Sequence, residues 1–233
     1  MNLDTAIAEV QQIIGWRSDK VAEITRALQF AQDEREKPGM TYPWWLRKTG
    51  TITTVAPVAG VGTQTYPIPS DYIQDTEEVD GNIFYFTGVA SLSRTVFLKK
   101  LSYEVAQQKY FGAWPGDSAD PTDQTATVKS GIPVEYVLGT QLHLYPTPDK
   151  VYNLVWRYWG KDAAQAIGQA NAWLTNAPWC LIGDAAKKIG ADMGNSLAVA
   201  TATTIADKAD SNLFRSVIAR SESGRRRSIG SRL

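Results

Sequence analysis

The chain has 233 residues, with 24 Lys and Arg against 24 Asp and Glu, one His and one Cys. A composition of 43% hydrophobic, 21% charged and 10% aromatic residues excludes a collagen, a wholly disordered chain and a disulfide scaffold. The length suits one large domain or two small ones. The opening Met1-Asn2-Leu3-Asp4 is acidic where a secretory signal is basic, and the charge-free stretch Ala163 to Gly183 carries Gln, Asn and Pro, so neither a signal nor a membrane span is expected.

The balanced charge hides an asymmetry. From Arg215 onward six arginines (Arg215, Arg220, Arg225, Arg226, Arg227 and Arg232) face one acid, Glu222, a surplus of five positive charges. The rest of the chain holds 18 basic and 23 acidic side chains, a deficit of five. An acidic body with an arginine-rich end points to an interaction arm.

Leu3, Ile7, Val10 and Ile14 recur at helical spacing until Gly15. Ser18 is placed to cap a second helix carrying Val21, Ile24, Leu28 and Ala31, stopped by Pro38-Gly39. After Tyr42-Pro43-Trp44-Trp45-Leu46 the chain turns rich in Thr, Val, Tyr and Ile, punctuated by Gly and Pro, as far as Gly160. Short strands are expected at Thr51 to Val55, Thr63 to Tyr66, Ile73 to Val79, Ile83 to Phe86 and Val96 to Leu98. A helix capped by Ser102 and ending at Gly112 precedes a polar loop, Trp114 to Lys129. Val134 to Leu138 and Gln141 to Tyr145 read as a hairpin across Gly139-Thr140. Val151 to Trp159 reads as a last strand buried on both faces. Thr175 or Asn176 is placed to cap a helix with Pro178 in its first turn and Ile182, Ala185, Ala186, Ile189 and Met193 as its stripe. After Gly194-Asn195 a final helix runs from about Leu197 to Ser221.

The fold class is read as α+β. Residues 1–48 and 172–222 form a discontinuous helical bundle, 49–171 an inserted antiparallel β-rich domain, and 223–233 an extended basic C-terminal tail.

Catalytic chemistry finds little material. His143 stands alone between two leucines with no nucleophile elbow nearby. One His and one Cys cannot close a zinc tetrahedron, and Cys180 between Trp179 and Leu181 reads as a buried structural thiol. Gly60-Val61-Gly62 lacks the remainder of a phosphate loop. Glu77-Glu78 point to opposite faces of a strand, and Asp117, Asp120 and Asp123 fall in a loop, so a solvated surface is the simpler reading of both. No metal or cofactor is expected. Most of the eight tryptophans lie at junctions between helical and β segments; core packing or subunit contact is preferred to an aromatic groove for sugar or single-stranded nucleic acid.

Several passages, in order, carry a resemblance: "TYPIPSDYIQ" (Thr65 to Gln74), "LKKLSYEVAQQKY" (Leu98 to Tyr110), "GIPVEYVLGTQLHLYPTPDKVYNLVWRYWGK" (Gly131 to Lys161) and "NAWLTNAPWCLIGDAA" (Asn171 to Ala186). Together with the N-terminal helix pair, the chain resembles the head-to-tail adaptor (connector, head-completion) proteins of tailed bacteriophages. The resemblance implies a non-enzymatic ring, commonly of twelve copies, in the virion beneath the portal protein. Made in the bacterial cytoplasm, it extends the DNA channel and carries the tail or nozzle protein. Genomic DNA passes without sequence-specific binding, and no membrane is involved; an acidic body suits a conduit that must not retain DNA. Arg220, Arg225, Arg226, Arg227 and Arg232 would meet portal acids or carbonyls, with Ile229 and Leu233 as apolar anchors. Trp44, Trp45, Trp173 and Trp179 would lie at subunit contacts. Two other classes stay open: a nucleic-acid-binding module using the Arg-rich end, and a tail-associated cell-wall glycosidase with Glu77 or Glu78 as acid.

Overall fold

The computed structural model describes residues 1–56, 63–76, 81–87, 94–111, 130–169 and 171–230. In chain order the helices are α1 (Leu3–Ile14), α2 (Val21–Arg35), α3 (Tyr103–Phe111), α4 (Ala172–Asn176), α5 (Pro178–Asp192) and α6 (Ser196–Gly230). The strands are β1 (Arg47–Thr53), β2 (Thr65–Tyr66), β3 (Tyr72–Asp75), β4 (Ile83–Thr87), β5 (Arg94–Phe97), β6 (Lys99–Leu101), β7 (Ser130–Gly131), β8 (Glu135–Leu138), β9 (Leu142–Tyr145), β10 (Thr147–Pro148) and β11 (Asn153–Gly160). The protein is α+β, in two compact units: Met1–Arg47 with Gly160–Leu233, and Lys48–Trp159.

The helical unit begins where Asn2 caps α1, its side-chain oxygen accepting from the Thr5 amide at 2.9 Å. Leu3, Ala6, Ile7, Val10 and Ile14 form the buried stripe, and Gly15 closes the helix at φ 97°, a conformation glycine adopts without strain. The expected Ser18 cap is not made. Ser18–Lys20 instead form a 3-10 turn, with Arg17 and Asp19 paired across it at 2.8 Å, and α2 starts at Val21. Asn171, rather than Thr175 or Asn176, caps the next helical segment, accepting from the Leu174 amide at 3.0 Å. That short α4 stops at Ala177, and Pro178 restarts the chain as α5 because its fixed φ suits a first helical position.

Helices α5 and α6 run antiparallel on a seam of small residues. A Cβ on Gly190 would lie 3.2 Å from Ala198 Cβ, while Ala198, Ala202 and Ala206 supply the facing stripe. α6 continues beyond Ser221 to Gly230. The expected extended tail is therefore helical in its backbone through Gly230: three consecutive arginines favour helix and no proline interrupts it.

Among the described residues the β-rich unit holds three sheets. One has the order β1-β11-β4-β5 with β3 also on β11, the second β2-β9-β8-β6, and the third pairs β10 with β7. The hairpin across Gly139-Thr140 forms as expected, with Leu138 opposite Leu142 and Tyr136 opposite Leu144. Two pairs depart from the antiparallel expectation: β6 with β8 and β10 with β7 are parallel. β11 is not uniformly buried. Leu154, Trp156, Tyr158 and Gly160 point inward, and the intervening Val155, Arg157 and Trp159 are half-buried. Ile83, Tyr136, Leu142, Leu144, Leu154 and Trp156 make the core; complete burial of each aliphatic side chain stabilises by roughly 1.5–3 kcal/mol. Within that core Asp75 is fully engaged, accepting from Trp156 Nε1 at 3.1 Å, Tyr136 Oη at 3.3 Å and Lys100 Nζ at 2.6 Å.

Candidate interaction site

The helical unit is pinned from inside by a buried polar knot. Glu36, at the end of α2, accepts from Trp173 Nε1 at 2.7 Å, from Gln32 Nε2 at 3.2 Å and from the Asp162 amide at 3.2 Å. Asn171 Nδ2 donates to Gln32 Oε1 at 3.0 Å and to the Ala163 carbonyl at 2.8 Å. Burial pushes the Glu36 carboxyl above its ordinary range, against the pull of these donors. The knot fixes α4, and with it the direction in which Trp173 enters the core.

From Trp173 an aromatic chain leads to the surface. Its ring meets Trp45 edge-on with centroids 5.7 Å apart, and Trp45 meets Trp44 edge-on at 5.9 Å. These are favourable geometries for aromatic pairs. Exposure rises along the series, from 1% at Trp173 to 45% at Trp44. Trp45 also lines a cleft of about 640 Å³ between the start of α5 and the middle of α6. Pro178, Trp179, Cys180, Ile205, Ala209 and Leu213 give it apolar walls, with Lys208 its one charged lining residue. Trp179 is 41% exposed there, and the Trp45 indole N–H is buried with no acceptor among the described residues. All four tryptophans singled out from sequence thus belong to one neighbourhood. Trp173 spends its surface inside its own chain, whereas Trp44 and Trp179 present theirs outward.

Beneath the cleft lies an ion cluster. Arg35 donates through Nε and Nη2 to Asp184 Oδ2 at 2.9 and 2.7 Å, and its Nη1 pairs with Asp210 at 2.8 Å. Burial opposes the charge on Arg35, but Asp210 and Asp184 outweigh it and hold the guanidinium protonated. Arg35 therefore ties α2 to both α5 and α6. Burial also pushes the neighbouring Cys180 thiol up to about 12, the behaviour of a structural cysteine.

Beyond the cleft α6 keeps an apolar face. Phe214 is 57% exposed and Ile218 is exposed, beside the half-buried Leu213 and Val217. Gly183 of α5 lies against Ala206 of α6, so the first residue of α5 is level with about residue 211. Leu213 onward therefore lies past the end of α5. Arg220, Arg225, Arg226, Arg227 and Ile229 belong to this projecting helix by their backbone, while Arg232 and Leu233 lie outside the described residues. Glu77, Glu78, Trp114, Asp117, Asp120, Asp123 and Gly60-Val61-Gly62 also lie outside them. His143 sits in β9 opposite Thr65 and Val137, half-buried.

Sequence reasoning missed Phe214 and Ile218. Each follows a residue of the stripe Ala209-Leu213-Val217 by one position, which widens the face beyond what α5 covers, and that widening was readable. Trp16 belongs to the eight tryptophans read for core packing or subunit contact, but it is not among the four singled out for a subunit contact.

The profile of the SU10 adaptor protein family matches residues 1–228. The chain belongs to this family of phage head-tail adaptors. No curated protein matches it. Family membership makes the chain a virion component with a structural adaptor role. The match includes both units and nearly all of α6, so the surfaces above lie within the family's own extent. Among the described residues no helix is long and apolar enough to cross a membrane.

Proposed function

We propose that copies of this chain form a ring, twelve as in the adaptors it resembles, seated beneath the portal, extending the DNA channel and presenting the attachment surface for the tail or nozzle. The observation that carries this reading is the projecting part of α6. Leu213, Phe214, Val217 and Ile218 fall within an arc of about 140° on a helix that has passed the end of α5. An exposed apolar face of this kind is a docking surface.

The chemistry changes along this helix. Near its root the apolar face and the Trp44/Trp179 surface serve contact between copies. Farther out on the helix, Arg220, Arg225, Arg226, Arg227 and Ile229, and in sequence after it Arg232 and Leu233, serve contact with acids and carbonyls of the portal. Ring repetition converts weak single contacts into firm attachment. The acidic remainder of the chain lets DNA pass without the counterion release that would hold it.

Removal of Ser223 to Leu233 tests this reading. The expected result is loss of co-sedimentation with portal rings while thermal melting of the chain is unchanged. Co-sedimentation at the original level would overturn the portal assignment.

A further inference from the structure

One side chain stands out against the folding rules. Trp16 is 69% exposed and its backbone has φ 56°, while Gly15 before it has φ 97°. The left-handed conformation costs a non-glycine residue roughly 1–2 kcal/mol. Here it is enforced by the end of α1, since the Trp16 amide donates to the Gln11 carbonyl at 2.6 Å. The chain thus combines a strained backbone with a large aromatic surface in water, and observed strain of this kind marks function.

The same unit contains an apolar receptor. The cleft of about 640 Å³ has room for an indole, and its wall residue Trp45 carries a buried N–H with no acceptor among the described residues. Trp179, 41% exposed on the same wall, offers an aromatic surface against which an inserted indole can pack.

Within one copy the two features cannot meet. Lys188 lies over the Phe30 ring and Asp184 bonds to Arg35, so α2 and α5 run antiparallel. Val21, which starts α2, is 14 residues before Arg35, roughly 21 Å along the axis and toward the far end of α5. Trp16 precedes it, whereas the cleft lies at Pro178–Cys180, the near end. A projecting group and its receptor at opposite ends of one unit describe a heterologous contact, which closes into a ring when the rotation between copies permits. Charge agrees with this pairing. Residues 9–23 carry Glu9, Asp19 and Glu23 against Arg17 and Lys20, a net of one negative charge, and the cleft lining carries Lys208 alone.

We propose that the Gly15-Trp16 turn of one copy seats in the Trp45/Trp179/Leu213 cleft of a second copy, with Trp16 as the central anchor of the contact between neighbours. This rests on the ring reading above and supplies the contact that reading lacks. A rigid aromatic anchor in a desolvated pocket is the usual centre of an interface.

The test keeps Trp16 and pairs Ser18→Cys, exposed beside it, with Ser216→Cys, an exposed position on the cleft, and treats the chain bound to portal rings with a flexible bis-maleimide; the buried Cys180 stays silent. The expected product is a ladder of dimers, trimers and higher species, with neither single variant passing the dimer. A cross-link closed within one copy, or rings visible by electron microscopy with no ladder, would overturn the contact and leave the adaptor reading standing. Absence of any association with the portal would overturn both. Trp16→Ala should weaken self-association ~10-fold or more, and Trp16→Phe should restore most of it. Because Trp16→Ala removes no buried contact, its melting temperature should match that of the parent chain; equal association would also overturn the proposal.

Discussion

Gly183 of α5 lies so close to Ala206 of α6 that a Cβ added to the glycine would sit 2.9 Å from the alanine's Cα, N and Cβ. No flexible side chain is available to yield, because two of those three atoms are backbone. Gly183→Ala should therefore force the helices apart and cost about 1–3 kcal/mol, as overpacking does. Chemical denaturation followed by circular dichroism would measure it. A midpoint equal to the parent's would show that the seam tolerates separation.

Arg35 serves two partners on different helices, so its loss should exceed that of an ordinary surface pair. Arg35→Met is expected to destabilise by about 1.5–3 kcal/mol, the range for hydrogen bonds to charged groups. Asp210→Asn should cost less, since the bond to Asp184 remains. Equal losses in the two variants would show that Asp210 alone matters.

The buried Glu36 carboxyl gives stability a pH dependence of known sign. Its folded pKa lies above the unfolded value, so its favourable contribution is complete below the unfolded pKa and is lost as pH rises through the folded pKa. Glu36→Gln keeps an oxygen to accept from Trp173 and removes the charge. Relative to the parent, this variant should be more favourable at pH 7 than at pH 4 in urea titrations at the two pH values. A difference that does not change with pH would mean that Glu36 titrates as it does in the unfolded chain.

Cys180 should resist thiol reagents. With its pKa pushed up to about 12 by burial, the native chain at pH 8 should label slowly, and denaturant should release reactivity of an ordinary thiol. Rapid native labelling would show that the cleft floor opens.

Phe214→Asp separates folding from association. The side chain is exposed past the end of α5, so melting should shift little while self-association and portal attachment fall. A large drop in melting temperature would place Phe214 in the fold of the single chain.

The local signals were the readable ones. Val10 and Ile14 on α1, the Gly139-Thr140 hairpin and Pro178 at the start of α5 each follow from periodicity or from the fixed geometry of one residue. The four tryptophans were flagged by type and by their place at segment junctions, yet their convergence depends on the Glu36–Asn171 knot, which joins positions more than a hundred residues apart. Cap choice at Asn171 was decided by a carboxamide that also bonds to Gln32 and Ala163. The parallel pairing of β6 with β8 depends on which strand edges remain open after the hairpin has formed, and no local pattern records that. The length of α6 was underestimated because charge was read as an end to structure, although arginine favours helix.

Thirty-five residues of uninterrupted helix make α6 roughly 52 Å long, and only its first half is gripped by α5 and Arg35. The far half is therefore a lever. A bend of about 10° where α6 passes the end of α5, near residue 212, would swing the tip by about 5 Å over the roughly 27 Å beyond it. In the ring proposed above, such a lever would let each copy meet a platform that is uneven or slightly mismatched in diameter while its core stays unchanged.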